Sequence, residues 1–478
     1  MLEFRSPTLF IAMYLVDKKL STLTLALMII AIIISPIGMV IMAQYGASSV
    51  FYYALVILLF FIPSAFIFAE LGSTWPEEGG LYRWTSMAFG KVLGSTAVWV
   101  RWLSMVITFP IIITFISSMT TYVFAPQLTH STLFTFMMCI AMTALSTCFA
   151  YFGVRGSTLV SLLAAMGASI IPSLILIIAA LVWLCTGHAS LQNLDFHHMI
   201  PHFNQFGIFA LLGATVLMFS GMEVTAYCLK YTEHPRKQFP KALIIGMVVI
   251  IFLALFGTLA VAVLVPSNQL DVVAGMMQAF LVFFNYYHLH ALIYLITGLM
   301  IFGWVCVIAT IMTTLGFGLK VLGKDGLLPR SFDHTNHFQA PTRVVFLQGA
   351  ISMLLSSLYI VIPGINSTYW TIESISSIIS GFLYVLLFAV AVRLRYLYPK
   401  QTRPICIPGG NVGMWVLAIL AAVMCFFAAV MTFVPPAQFS IERTVEFELV
   451  LITGVMISFL GPLLLSLFYY QRGSHSRR

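Results

Sequence analysis

One carboxylate, Glu223, stands inside a long apolar stretch, LLGATVLMFSGMEVTAYCLK, after Phe219 and the run Ser220-Gly221-Met222. Ionisable groups in such stretches are rare and are functional by default. Burial disfavours the charged form of a carboxyl whose ordinary pKa is about 4.3. Glu223 is therefore expected to take up a proton during a working cycle or to sense pH; the structural alternative is a permanently protonated helix–helix hydrogen bond. A second apolar stretch, LMIIAIIISPIGMVIMAQYG, is interrupted at Ser35-Pro36-Ile37-Gly38. Proline removes a backbone donor, and the freed groups must be met by protein, water or ligand. An unwound turn exposes N–H groups at the positive end of a half-helix, where a ligand carboxylate is stabilised, while open carbonyls accept from an ammonium. Ser220 and Gly221 let a ligand approach the backbone closely. The chemistry implied is reversible capture of an amino-acid-like molecule.

The elements that carry these interruptions follow from composition. The chain has 478 residues, 61% hydrophobic and only 8% charged, against about 25% charged in soluble domains. So few charges cannot cover a water-facing surface, which excludes a soluble enzyme, a disordered tail protein and a nucleic-acid binder despite the net charge of +8. A spanning helix needs about 20 mostly apolar residues. That ruler gives twelve spans, near 22–45, 49–69, 94–124, 132–152, 158–185, 206–229, 242–265, 290–319, 344–362, 368–392, 412–434 and 446–470. With the N-terminus in the cytoplasm, every lysine and arginine except Arg101 and Arg443 falls on the cytoplasmic side, as the positive-inside rule requires. Both termini are thus expected inside. The apolar stretch 8–16 is too short for a secretory signal and reads as an interfacial lead-in.

The two interrupted spans are the first and the sixth, five apart. An inverted repeat of five helices places its discontinuous helices at the first position of each repeat, around a midplane site. The expected fold is therefore all-α and polytopic, with a lead-in (1–21), a first repeat (22–185), a second repeat (206–393), two further helices (412–470) and a short tail (471–478). Arg101 lies about 10 Å into the third span at 1.5 Å per residue; it is expected to snorkel or to pair with Glu70 or Glu77, with gating as the alternative. Glu373, in the outer half of the tenth span, is a candidate for holding a cationic ligand group. His130, His188, His197, His198, His202, His288 and His290 all fall outside and read as solvated loop residues, the alternative being that His197, His198 and His202 sense an acidic exterior or bind a metal; neither a metal nor a cofactor is expected. All five aspartates lie in loops, and there is no HExxH motif, paired aspartates or P-loop, so an intramembrane enzyme lacks its catalytic pair. The alternative coupling ion is sodium, for which Thr310, Thr313 and Thr314 offer hydroxyls, although such hydroxyls usually bond the preceding turn.

Several stretches resemble a known group. AELGSTWPEEGGLYRWTSMAFG follows the second span, FSGMEVTAYCLKYTEHPRKQFPKA occupies the sixth span and its loop, and VPSNQLDVVAGMMQAF, GKDGLLPRSF and IPGGNVGMWVLAILAAVMCFFAAVMTFVPP come in order after them. In these the chain is similar to the amino acid–polyamine–organocation superfamily of transporters, and within it to the bacterial glutamate:GABA antiporter branch. The resemblance implies alternating access in a bacterial inner membrane by a monomer or homodimer. It also implies a small-molecule amino acid substrate held between the first and sixth helices. By matching position it makes Glu223 the sixth-helix glutamate, Phe219 an aromatic that caps bound substrate, and Tyr384 a pathway-lining tyrosine. The chain departs from the pattern at the first break, where many members have Gly-Ser-Gly. It departs again in the eighth span, where Val307 stands in place of the branch's glutamate, which argues against glutamate or GABA as the cargo. Only eight residues follow Tyr470, so no C-terminal plug is expected.

Overall fold

The computed structural model describes residues 20–129, 131–192, 194, 207–271, 273–361, 365–434 and 444–475. In chain order the helices are α1 (Thr22–Ile33), α2 (Pro36–Ala43), α3 (Gly46–Thr74), α4 (Gly80–Phe89), α5 (Lys91–Phe124), α6 (Thr132–Ala150), α7 (Leu159–Cys185) and α8 (Gly207–Met218). They continue with α9 (Pro235–Leu264), α10 (Gly275–Tyr286), α11 (His290–Lys324), α12 (Thr342–Val361), α13 (Ile365–Leu397), α14 (Gly410–Met431) and α15 (Thr444–His475). Among the described residues there is no strand beyond one isolated bridge between Leu20 and Thr232. The protein is all-helical, as the hydrophobic pattern predicts.

Among the described residues ten helices are long and apolar enough to cross a bilayer, eleven if the bent pair α1 and α2 is taken as one span. The sequence predicts twelve. The difference lies in 206–229, which does not form one helix: α8 ends at Met218, and a 3-10 helix, Met222–Tyr231, takes over after a three-residue turn. Gly221 carries a φ of +125° in that turn, and the break leaves neither piece long enough alone. The charged loop after the second span is also more ordered than its composition suggests, because 80–89 forms α4.

Two spans widen locally for one reason. Proline lacks an N–H and its ring crowds the carbonyl four residues earlier. Pro63 in α3 and Pro172 in α7 are each preceded by a π-helical turn, at Ile57–Phe61 and Ala164–Ile170, and these turns contain the crowded carbonyls of Leu59 and Ala168. The widened turn of α7 packs closely on α11, where a Cβ placed on Gly303 would lie 2.2 Å from the Ala168 nitrogen. Small residues permit such backbone approach between membrane helices.

Burial ranks the helices. Within their most apolar windows 83% of α5 and 72% of α13 is buried, against 22% of α15. So α5 and α13 run through the centre, while α15 presents Leu449, Ile457 and Leu464 outward, as a lipid-facing helix must. At the ends of α5 and α13 nearest Lys91 and Leu397, carboxylates tie elements together. Glu78 meets Lys230 at 2.7 Å, Lys324 at 3.4 Å and Lys320 at 3.9 Å. Burial alone would raise its carboxyl, but the three lysines outweigh it and hold it below its ordinary value.

Candidate functional site

The first break is narrower than the sequence suggests. Ile34 and Ser35 are extended, and α2 starts at Pro36, so α1 and α2 bend by 47°. Ser35 caps α2, its Oγ accepting from the Gly38 nitrogen at 3.2 Å, and Pro36 takes the first helical position, where its missing donor costs nothing. The expected open turn over 35–38 is therefore corrected to Ile34–Ser35, with Pro36, Ile37 and Gly38 already helical.

The two breaks lie against each other. A Cβ on Gly38 would meet the Met218 sulfur at 2.8 Å, and one on Gly221 would meet Ile32 Cγ2 at 2.9 Å. Gly221 is thus held both by its positive φ and by the end of α1. Gly221→Ala is expected to cost about 1–3 kcal/mol of backbone strain, read as a lower melting temperature in detergent. Melting at the parent temperature would show that the turn relaxes freely.

Just past this turn Glu223 enters the first turn of the 3-10 helix, near its positive end. Its Oε1 lies 2.7 Å from Arg101 Nε, both side chains being 0% exposed. The Tyr384 hydroxyl donates to Glu223 Oε2 and accepts from the Gly221 nitrogen at 2.6 Å. Arg101 Nη1 reaches Ser380 Oγ at 3.4 Å. One cluster therefore joins α5, the second break and α13, and it corrects two expectations. Arg101 does not snorkel, because it is fully enclosed. Nor does it pair with Glu70 or Glu77: Glu70 binds Arg395 and Arg403, and Glu77 binds Arg83.

Beside this cluster is a cavity with about 100 Å³ that a water-sized sphere can occupy, several times what one ordered water needs. It lies among the first break, the end of α8, α5, α11 and α13. Of the residues singled out in the sequence, Ser35, Ile37, Ser220 and Glu373 line it. Pro36, Gly221, Met222, Glu223, Arg101 and Tyr384 do not. Gly38 and Phe219 face a smaller gap of about 20 Å³. The Phe219 ring packs edge-on against Phe61 at 4.8 Å and Tyr53 at 5.9 Å, so it joins an aromatic cluster with α3.

Sequence reasoning missed the hydroxyl wall. Thr108, Ser376, Ser377 and Ser380 line the cavity. Thr108 Oγ1 and Ser376 Oγ are 3.1 Å apart, and Ser376 Oγ donates to the Ser104 carbonyl at 3.0 Å. The signal was present in ESISSIIS, where 373, 376, 377 and 380 share one face at helical spacing. Val307 also lines the cavity, so the wall is apolar where the resemblance would place a glutamate. The ion pair lies just beyond one end of this wall: Arg101 is one turn from Met105 on α5, and Tyr384 is one turn from Ser380 on α13.

Other candidates lie elsewhere. Thr310, Thr313 and Thr314 each donate to the carbonyl four residues earlier. His188 stacks on Trp183 at 4.5 Å and bonds the Tyr286 hydroxyl at 2.8 Å. His130, His197, His198 and His202 are outside the described residues. Among the described residues no group of three His, Cys, Asp or Glu could hold a metal.

Comparison with known proteins agrees with this architecture. Residues 20–458 match the family model described as amino acid permease. An uncharacterized transporter of Legionella pneumophila is 31% identical over 87% of this chain and 89% of its own. A glutamate/gamma-aminobutyrate antiporter of Lactococcus lactis is 26% identical over 89% and 85%. A probable agmatine/putrescine antiporter of the same species is 23% identical over 87% and 88%. A family match over most of the chain, joined to an all-helical apolar fold with two broken helices in contact, places this chain in the amino acid permease family of the amino acid–polyamine–organocation transporters.

Proposed function

We propose that the protein exchanges amino acids or their amine derivatives across a bacterial inner membrane by alternating access, with proton linkage through Glu223. The observation that carries this is the meeting of both broken helices at one cavity, with the Arg101–Glu223–Tyr384 cluster beside it. In the topology we propose, twelve spans form two inverted five-helix repeats plus two further helices, and both termini are cytoplasmic. The Lys91 end of α5 and the Leu397 end of α13 then face the cytoplasm, and the cluster closes the cavity's cytoplasmic side. Cargo enters from outside between Ser35, Ser220 and the hydroxyl wall. Proton uptake by Glu223 would remove the charge that holds Arg101, release Tyr384 from the Gly221 turn and let the cytoplasmic side open. The names of the two Lactococcus relatives support exchange of small amines or amino acids. That the three α11 threonines donate within their own helix favours exchange over sodium symport.

The test is exchange in proteoliposomes loaded with one amino acid and offered others at pH 5 and pH 7. Uptake is expected to require internal cargo and to change between the two pH values, and Glu223→Gln is expected to flatten that change. Uptake independent of internal cargo would overturn exchange. A sodium requirement would favour symport, and an unaltered pH response in Glu223→Gln would remove the proton role.

A further inference from the structure

The cavity wall carries one charged side chain among the described residues, Glu373. Its carboxylate receives one hydrogen bond, from Ser377 Oγ to Oε1 at 3.1 Å. Among the described residues no Lys, Arg or His nitrogen lies within ion-pair distance of it, although each of the other carboxylates paired within the helix bundle, Glu70 and Glu223, has its own arginine. Arg101 is committed to Glu223, and it touches α13 at Ser380, seven residues from Glu373 and so about 10 Å along the helix. The Arg101–Glu223 pair cancels its own charge, which leaves Glu373 as the one acidic group on the cavity wall among the described residues.

A carboxyl at membrane depth is costly to ionise unless a cation joins it, and without one it holds its proton. The rest of the wall offers hydroxyls, the indole N–H of Trp304 and apolar groups, and among the described residues no fixed cation to receive an anionic cargo. From this we infer that Glu373 is the specificity-determining residue of the site and that the cargo carries a cationic group for it: a basic amino acid or a diamine, rather than a neutral or acidic amino acid. The broken turns at Ser35 and Ser220 hold one end of such a molecule. The second ammonium or guanidinium lies at Glu373, where Ser377 orients the carboxylate. This inference rests on the exchange reading above and names its substrate class.

The test uses the full-length protein in proteoliposomes and a panel of lysine, 1,4-diaminobutane, leucine and glutamate. Lysine or 1,4-diaminobutane is expected to be exchanged in preference to leucine, and glutamate least; lysine alone would show that the broken turns require a carboxylate. Glu373→Gln is expected to lower the ratio of cationic to neutral cargo affinity at least about tenfold, as loss of a charge-assisted bond does. Glu373→Asp, which keeps the charge, is expected to restore part of that ratio, and the melting temperature of each variant separates selectivity from misfolding. Preference for leucine or glutamate, with the ratio unchanged in Glu373→Gln, would overturn this inference while leaving exchange intact. Exchange of none of the four would overturn the exchange reading itself.

Discussion

Arg101→Met is expected to destabilise the detergent-solubilised protein by about 3–5 kcal/mol, the cost typical of removing one partner from a buried ion pair, and to abolish exchange. The size follows from the enclosure. Arg101 and Glu223 are both 0% exposed, so no water can replace the lost guanidinium. Glu223 would retain the Tyr384 hydroxyl as its hydrogen-bond donor, and Ser380 would lose its contact with Arg101. Methionine keeps the bulk and flexibility of the stem, which leaves charge as the main change. The double variant Arg101→Met, Glu223→Gln is the decisive comparison, because it removes both charges and keeps a polar partner for Tyr384. Buried ion pairs replaced by neutral groups of similar volume are often no less stable. The double variant should therefore melt well above Arg101→Met, and it should still fail to respond to pH in exchange assays. Equal melting of Arg101→Met and the parent protein would mean that the pair is not closed in the resting state. Recovery of pH-dependent exchange in the double variant would place proton linkage elsewhere.

What the sequence made legible here was local. Pro36 and the cap residue Ser35 mark the first break, and Ser220-Gly221 marks the second, because the chemistry of a helix end is written in a few adjacent residues. The spans other than 206–229 were legible for the same reason, since each needs only its own composition. The extent of each break was less so: Pro36 reads as the heart of an interruption, yet at a first helical position it starts a helix. Partners distant in the chain were not legible. Arg101 and Glu223 stand more than a hundred residues apart in the chain, and the nearer carboxylates Glu70 and Glu77 were the natural candidates. Glu77 is engaged by Arg83 close by in the chain, and Glu70 by Arg395 and Arg403, a pairing that only the packing of α3 against the end of α13 reveals. The contacts of the Phe219 ring with Tyr53 and Phe61 are distant in the chain in the same way. The hydroxyl face of α13 is a different case: SISSIIS displays its periodicity openly, and it was overlooked because serine carries no charge to draw attention.

The second large effect is expected at Glu70, on the side of the bundle away from the cavity. Its Oε1 accepts from Arg395 Nε at 2.8 Å, and its Oε2 from Arg395 Nη2 at 2.5 Å and from the Ile407 nitrogen at 2.9 Å. Arg403 Nε adds an ion pair at 3.2 Å. Planar bidentate geometry of this kind is the strong form of a charge-assisted bond, and at 2% exposure it is little weakened by solvent. One side chain thus fastens the end of α3 to the end of α13 and to the segment that leads into α14. Glu70→Ala strands two guanidinium groups and is expected to cost about 3–5 kcal/mol. Glu70→Gln should cost less, since it keeps an acceptor for the Ile407 nitrogen. Glu77 provides the control within the same stretch of chain: its pair with Arg83 is 2.8 Å long, but the two side chains are 55% and 48% exposed. Exposed pairs contribute about 0–1 kcal/mol, so Glu77→Ala should leave the melting temperature nearly unchanged. If Glu70→Ala and Glu77→Ala shifted melting equally, burial would not be the source of the Glu70 effect, and the α3–α13 fastening would have to be assigned to apolar packing instead. In the alternating-access reading this fastening holds the two ends together on the cytoplasmic side, so Glu70→Gln, which weakens it without stranding both arginines, should raise the reactivity of a cysteine placed at Ile407 toward a water-soluble thiol reagent.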